Sequence, residues 1–110
     1  MERSPITTHV LDTSAGRPVA GMEVSLEIKE GKGWVLLGRG ITDADGRLSN
    51  LLLPDHALAA GTYRLTFATG AAARGFFPEV TIAFTVDDPG RHYHVPLLLS
   101  PFGYTTYRGS

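Results

Sequence analysis

The side chains of this sequence best suited to acid–base chemistry near neutral pH are few and lie far apart along the chain. They are His9 and the pair His92 and His94, to which Arg47 and the C-terminal tetrapeptide Tyr107–Ser110 add cationic and hydrogen-bonding groups. An imidazole titrates close to pH 7 and can take a proton from water, whereas a guanidinium stabilises developing negative charge. The tetrapeptide adds a phenol, a guanidinium, a hydroxyl and a carboxylate, which suits a polar heteroaromatic ligand. We expect these residues to form an active site.

The strand that carries His94, residues 92–100, has one apolar face and one mixed face. Its core face is predicted to consist of Tyr93, Val95, Leu97 and Leu99. His94 shares the other face with Leu98, and an apolar residue there suits an interface or a pocket wall. Pro96 has no N–H to donate, so we expect the strand to be irregular or unpaired on one side there. An exposed strand with an incidental histidine remains the alternative.

The other candidate residues also have simpler interpretations. A single histidine in a strand, such as His9, is usually structural, and an arginine after a tight turn, such as Arg47, is most often only solvated. A terminal Gly-Ser pair can be a remnant of cloning. The residues alone leave these alternatives open.

The histidines and an acidic turn also raise the question of a metal site. His92 and His94 would project from one strand face and His9 could join them, which gives the three ligands of a zinc site. The turn at residues 43–46, DADG, resembles part of a calcium loop, but its register would place an isoleucine and a leucine at ligand positions. Nothing favours a metal over general-base histidines, so we expect no metal and no cofactor.

Composition and charge restrict the class of protein. The 110 residues predict a single domain, 1–110, with a net charge of −1. Without a block of like charges, we expect neither nucleic acid nor a membrane as a partner. The absence of cysteine excludes disulfides and thiol catalysis. The first residues lack the apolar region of a signal peptide, and no apolar run approaches about 20 residues, so we expect a cytoplasmic protein.

Thirteen glycines and seven prolines separate many short segments, which is typical of an all-β domain. Strands are predicted at residues 6–12, 22–29, 34–42, 48–53, 62–68, 79–86 and 92–100, and a further short strand follows residue 102. One helical turn is plausible at 54–60 or at 69–75. We therefore predict a Greek-key β-sandwich, shaped like an immunoglobulin domain, of seven to eight strands with at most one short helix.

Three motifs go beyond composition and spacing. They are THVLD at 8–12 with GRP at 16–18, DGR at 45–47, and YHVPLLLSP at 93–101 followed by GYTTYRGS at 103–110. In this order, essentially from end to end, they resemble the signatures of the 5-hydroxyisourate hydrolases, the transthyretin-like enzymes of urate degradation. The sequence departs from the usual signature at Val19 and Thr105, and the segment 70–75 looks shorter than the helix-bearing connection of the family.

The resemblance implies a transthyretin-like fold and hydrolysis of 5-hydroxyisourate to 2-oxo-4-hydroxy-4-carboxy-5-ureidoimidazoline, without metal or cofactor. The catalytic residues it implies are His9, Arg47, His94 and Ser110. The substrate-binding residues it implies are Tyr107, Arg108 and Gly109. His92 receives no role, and the terminal Gly-Ser pair is interpreted as native. The family works as a homotetramer, a dimer of dimers with sites between the dimers, which suits a His94 that faces away from the core.

Two other functions remain as alternatives to the enzyme. A transthyretin-like carrier would bind small aromatic ligands without turnover. An adhesive or structural immunoglobulin-like domain would be a monomer with no special chemistry in its last four residues. Turnover of 5-hydroxyisourate separates the enzyme from both.

Overall fold

A computed structural model describes residues 4–110, which form two β-sheets and one short helix. In chain order the strands are β1 (Ile6–Asp12), β2 (Arg17–Pro18), β3 (Glu23–Glu30), β4 (Gly33–Ile41), β5 (Arg47–Leu48), β6 (Gly61–Phe67), β7 (Val80–Val86), β8 (Tyr93–Ser100) and β9 (Gly103–Thr106). The helix α1 (Thr69–Ala73) lies between β6 and β7. Seven of these strands have four residues or more, β2 is a two-residue addition, and β5 has only two residues where a strand is predicted at 48–53.

The order of the strands brings the two ends of the chain together. The first sheet has the order β2-β1-β8-β9, with β5 also paired to β1, and the second has the order β4-β3-β6-β7. Within residues 4–110, β1 and β8 are the one parallel pair of strands. The predicted all-β sandwich is therefore confirmed. Its two histidine-bearing strands, β1 and β8, are direct neighbours.

Alternate residues of both sheets fill the core. The main contributions come from Ile6 and Val10 of β1, Tyr63, Leu65 and Phe67 of β6, and Tyr93, Val95, Leu97 and Leu99 of β8. Burying an apolar side chain of this size stabilises the fold by about 1.5–3 kcal/mol. The face parity predicted for β8 is confirmed. Because side chains alternate along a strand, Thr7, His9 and His94 lie on the outer face of the first sheet.

The segment after β5 is the main departure from prediction. A strand is predicted at 48–53, but only Arg47–Leu48 pairs with a neighbouring strand. The backbone of Leu51 lies over Gly38 of β4, so close that a Cβ on Gly38 would be 2.0 Å from the Leu51 carbonyl oxygen. Leu51 and Leu52 are buried. The segment therefore covers the core with its side chains and does not extend a sheet.

Of the two segments considered for a helical turn, only 69–75 is helical. In segment 54–60 the Tyr63 hydroxyl bonds both the N–H and the carbonyl oxygen of Ala59, so these backbone groups are used outside a helix. Helix α1 is tied to the loop before β7, where the Gly70 N–H donates to the Pro78 carbonyl oxygen at 2.8 Å. No helix within residues 4–110 is long and apolar enough to cross a membrane.

Candidate active site

The turn before β5 places Arg47 beside β1. The Asp43 carboxylate accepts hydrogen bonds from the backbone N–H groups of Asp45 and Arg47, both at 2.9 Å. Gly46 has a φ of +74°, and a Cβ there would lie 2.4 Å from the carbonyl oxygen of Val10. The turn therefore requires glycine both for its backbone conformation and for its close approach to β1.

His9 of β1 is bonded directly to this turn. It lies opposite Arg47 in the β1–β5 register. Its Nε2 donates a hydrogen bond to the carbonyl oxygen of Asp45 at 2.8 Å, since a carbonyl can only accept. Nε2 therefore carries a proton, and in the neutral ring Nδ1 is the nitrogen that can accept one.

His94 of β8 lies opposite Thr7 of β1 in the parallel register. The Nδ1 atom of His94 is 2.8 Å from Oγ1 of Thr7, and the same Oγ1 is 3.1 Å from Nε2 of His92. The two imidazole rings are nearly parallel, with centroids 6.5 Å apart. Thr7 is only 4% exposed although it lies on the outer face of the sheet. The Nδ1 side of His94 is thereby held against β1.

The end of the chain returns along β8 after an interruption at Pro96. Strand β9 pairs with β8 as far as Leu97 and Thr106, and pairing resumes in the same register between His94 and Gly109. Pro96 has no N–H to donate at the missing step, so the predicted irregularity is confirmed. The Gly109 N–H donates to the His94 carbonyl oxygen at 2.8 Å. The tail is therefore tied to the residue that carries the imidazole.

Gly109 also packs against the imidazole of His94. A Cβ on residue 109 would lie 2.6 Å from Cδ2 of His94 and 3.4 Å from Cγ of Pro96. The first distance is far inside van der Waals contact, so any side chain at this position would displace the ring. Thr7 and Gly109 thus hold His94 from two sides.

Three of the four predicted catalytic residues line one pocket. Arg47, His94 and Ser110 meet, together with Thr7, around a concavity of about 220 Å³ on the outer face of the first sheet. His9 lies on the same face, two residues along β1 from Thr7 and next to Arg47. A guanidinium, an imidazole and a serine around one concavity, with a second imidazole on the same face, suit an anionic ligand and the activation of a water molecule.

Tyr107 and Arg108 line a second pocket beside the one that contains Arg47. This second pocket has a volume of about 190 Å³, lies against β7 and is also lined by His94. The Arg108 guanidinium carbon is 4.5 Å from the centroid of the Tyr93 ring, a cation–π contact. The Tyr93 hydroxyl donates a hydrogen bond to Asp87 at 3.0 Å, which lowers the pKa of that carboxyl. Within one chain neither residue lines the pocket with Arg47, and their contact with substrate stays a prediction.

The side chains considered as metal ligands have other contacts. Within residues 4–110 no group of three or more histidine, aspartate or glutamate side chains could hold a metal ion. The Asp43 carboxylate caps its own turn and His9 bonds a backbone carbonyl. His92 and His94 share the hydroxyl of Thr7.

Thr7 lines the pocket and His92 contacts Thr7, although the sequence assigned neither of them a role. Alternation along β1 places Thr7 on the same face as His9, and this is the one local feature of the sequence that points to Thr7. Its contact with His92 joins residues 85 positions apart and arises from the parallel pairing of β1 with β8.

The two-sheet sandwich has a parallel β1–β8 pair, and β5 beside it contributes Arg47 to a pocket that His94 and Ser110 also line. This fold and site are those of a transthyretin-like protein. The sequence profile described as Transthyretin, the HIUase/Transthyretin family, matches residues 6–109. The chain belongs to this family.

Individual relatives are similar over most of the chain. The 5-hydroxyisourate hydrolase of Salmonella dublin is 46% identical over 110 residues, which cover 96% of this chain and 80% of that protein. The structure of the Klebsiella pneumoniae 5-hydroxyisourate hydrolase has a TM-score of 0.81 at 36% identity, covering 100% of both chains. The structure of an (S)-allantoin synthase has a TM-score of 0.84 at 34% identity, and here the similarity covers 99% of this chain but only 44% of the longer one.

Proposed function

We propose that residues 1–110 act as one hydrolase domain that converts 5-hydroxyisourate to 2-oxo-4-hydroxy-4-carboxy-5-ureidoimidazoline in urate degradation. The observation that carries the proposal is the pocket in which Arg47, His94 and Ser110 meet. Family membership and the similarity to named 5-hydroxyisourate hydrolases support this choice of substrate.

The proposed reaction is hydrolysis of a ring N–C bond. Water attacks the carbonyl carbon as a base takes one of its protons, and the carbonyl oxygen becomes an oxyanion. The C–N bond then breaks, the nitrogen leaves with a proton, and the carbonyl becomes a carboxylate. The atoms balance without a metal or an organic cofactor.

Each of the four predicted catalytic residues has a role that its position supports. His9 and His94 together position the water and accept its proton, while Arg47 holds the anionic substrate and stabilises the oxyanion. Ser110 completes the set of hydrogen bonds through its hydroxyl or its carboxylate. Tyr107, Arg108 and Gly109 are proposed to bind the substrate. Gly109 also keeps the His94 ring in place through its main chain.

A direct assay tests the proposal. Uricase generates 5-hydroxyisourate from urate, and the protein should accelerate the decay of its ultraviolet absorbance. His94→Ala should abolish this acceleration while the circular dichroism spectrum and the oligomeric mass remain those of the wild type. His56→Ala, which removes an exposed histidine from the 54–60 loop, is the matched control and should keep full activity. Decay at the spontaneous rate with the wild-type protein contradicts the proposal, and tight binding without turnover identifies a carrier.

The chain end has a test of its own. Deleting Gly109 and Ser110 removes the bond to the His94 carbonyl oxygen and one wall of the pocket. We expect the deletion to reduce kcat far more than it lowers the melting temperature. A deletion variant with wild-type kcat would remove the tail from the mechanism.

We also propose that the protein is a cytoplasmic homotetramer, a dimer of dimers with the pocket between subunits. Leu11 and Leu98 lie side by side on the outer face of the first sheet, next to the histidines, and give that face an apolar strip. In the described part of the chain, β7 and β9 each lie at one edge of their sheet, and an edge strand can pair with a strand of a second copy. Light scattering should give about four times the chain mass, and subcellular fractionation tests the compartment.

A further inference from the structure

A single hydroxyl group lies between the two imidazoles of β8 and the loop before it. Thr7 Oγ1 is 2.8 Å from Nδ1 of His94 and 3.1 Å from Nε2 of His92. A threonine hydroxyl has one proton, so it can donate to only one of two ring nitrogens and must accept from the other if both bonds form. The three groups therefore share a directional chain of hydrogen bonds.

This chain of hydrogen bonds has two directions, and they differ in what His94 can do. In the first, Nδ1–H of His94 donates to Thr7 and the Thr7 hydroxyl donates to Nε2 of His92. The lone pair of His94 is then on Nε2, the nitrogen that can take a proton from water. In the second, Nε2–H of His92 donates to Thr7, which donates to Nδ1 of His94, and His94 carries its proton on Nε2 and cannot act as a base there.

The geometry points to Thr7 and His92 as positioning residues that hold His94 in the tautomer with its proton on Nδ1, so that Nε2 is the general base; this inference rests on the proposed hydrolysis. Gly109 holds the ring itself, because a Cβ on this residue would lie only 2.6 Å from Cδ2 of His94. His94 therefore keeps Nδ1 towards Thr7, and the first direction is the one in which the Nε2 of His94 can act as a base in the proposed hydrolysis.

Kinetics of Thr7 variants test the inference. Thr7→Val keeps the shape and the β-branching of the side chain but removes the hydroxyl, so we expect kcat to fall about 100-fold, the lower end of what a general base contributes, with little change in KM. Thr7→Ser should restore most of the loss. Thr13→Val is the matched control, because it removes a hydroxyl that joins the same two strands at Leu99, at the far end of their pairing, and it should leave kcat unchanged. A Thr7→Val enzyme with wild-type kcat overturns the inference.

The role of His92 is tested by a double-mutant cycle. His92→Phe keeps a ring beside His94 but removes the acceptor for the Thr7 proton, so kcat should fall by less than it does in Thr7→Val. In the Thr7→Val background the same change should have no further effect, because His92 acts through Thr7. Losses that multiply independently would show that His92 does not act through the hydroxyl, and that result overturns the assignment.

The tautomer can be measured without any substrate. In protein labelled with ¹⁵N-histidine, His94 should show its proton on Nδ1 in the wild type and lose this preference in Thr7→Val. A wild-type His94 protonated on Nε2 overturns the inference even if the variants fold poorly. The two proposals can fail separately. A wild-type protein that does not hydrolyse 5-hydroxyisourate contradicts the proposed function, whereas the spectrum still reports the tautomer of His94.

Discussion

At Gly109, the absence of a side chain allows the tail to lie against the ring of His94. Alanine is compatible with the backbone there, but its Cβ would come within 2.6 Å of Cδ2 of His94. We expect Gly109→Ala to displace the ring and lower kcat about 10- to 100-fold, since a misplacement of 1 Å can cost that much. Gly103→Ala, whose Cβ would make an ordinary contact at 3.5 Å with Ser100 Oγ, is the control and should retain activity. Equal activities of the two variants would contradict this account of Gly109.

Individual residues of the site differ in how far the sequence could predict them. Face parity and turn chemistry are local properties that drew attention to His94 and Arg47, but they left the roles of both residues open. The motifs added His9 and Ser110. The hydrogen bond between Thr7 and His92 could not be predicted from the sequence, because it depends on the register between two strands more than 80 residues apart. The positions of Tyr107 and Arg108 depend in turn on the interruption at Pro96, whose effect on the direction of the tail has no local signature.

At the scale of an element, the turn before β5 positions Arg47. Gly46→Ala forces an L-residue into φ +74° and adds a clash with the Val10 carbonyl oxygen. We expect a loss of stability of about 1–3 kcal/mol, together with lower activity as Arg47 shifts. Gly16→Ala is the control, since Gly16 has a similar φ of +69° but nothing within 4 Å of its Cβ position. Equal melting temperatures and activities in the two variants would contradict the close-contact argument.

The strands were predictable wherever apolar and polar residues alternate, because alternation reports directly which face is buried. The segment 48–53 also looks like a strand, yet its conformation is decided by Gly38, which admits the Leu51 backbone onto β4. Such a contact between elements cannot be inferred from either segment alone. The same limit applies to 54–60, where the hydroxyl of Tyr63 takes the backbone groups that a helix would use.

The turn between β7 and β8 gives a prediction about pH. The hydrogen bond from the Tyr93 hydroxyl is the main cause that lowers the pKa of the Asp87 carboxyl below its usual 3.8. A carboxyl whose pKa is lower in the folded state contributes stability that is present above pH 3.8 and is lost as the pH falls through the folded value. In Asp87→Asn, thermal unfolding should therefore lose less stability between pH 5 and pH 2 than in the wild type. Asp55→Asn, in the exposed 54–60 loop, serves as the control, and parallel profiles for wild type and Asp87→Asn would contradict the link.

At the scale of the whole molecule, the sandwich is thin and its pocket is shallow. The Cα extents are 36 × 36 × 20 Å, and the thickness corresponds to two sheets about 10 Å apart with little room between them. The catalytic candidates accordingly lie on an outer face, where water is excluded only if something covers the pocket. A second copy of the chain, placed by symmetry on the strip formed by Leu11 and Leu98, would supply that cover.

The outer face of β8 can be tested as a contact between subunits. Leu98 is half-buried on the same face of β8 as His94, so Leu98→Lys should place a charge in the proposed interface. Leu53→Lys makes the same change at a side chain that is 73% exposed in a loop. Multi-angle light scattering should show Leu98→Lys with a mass below four chains of 11.8 kDa and Leu53→Lys at the wild-type mass. Activity should fall with the mass if a neighbouring subunit completes the pocket, as we propose. A Leu98→Lys protein that remains a fully active tetramer would show that this face is not the interface.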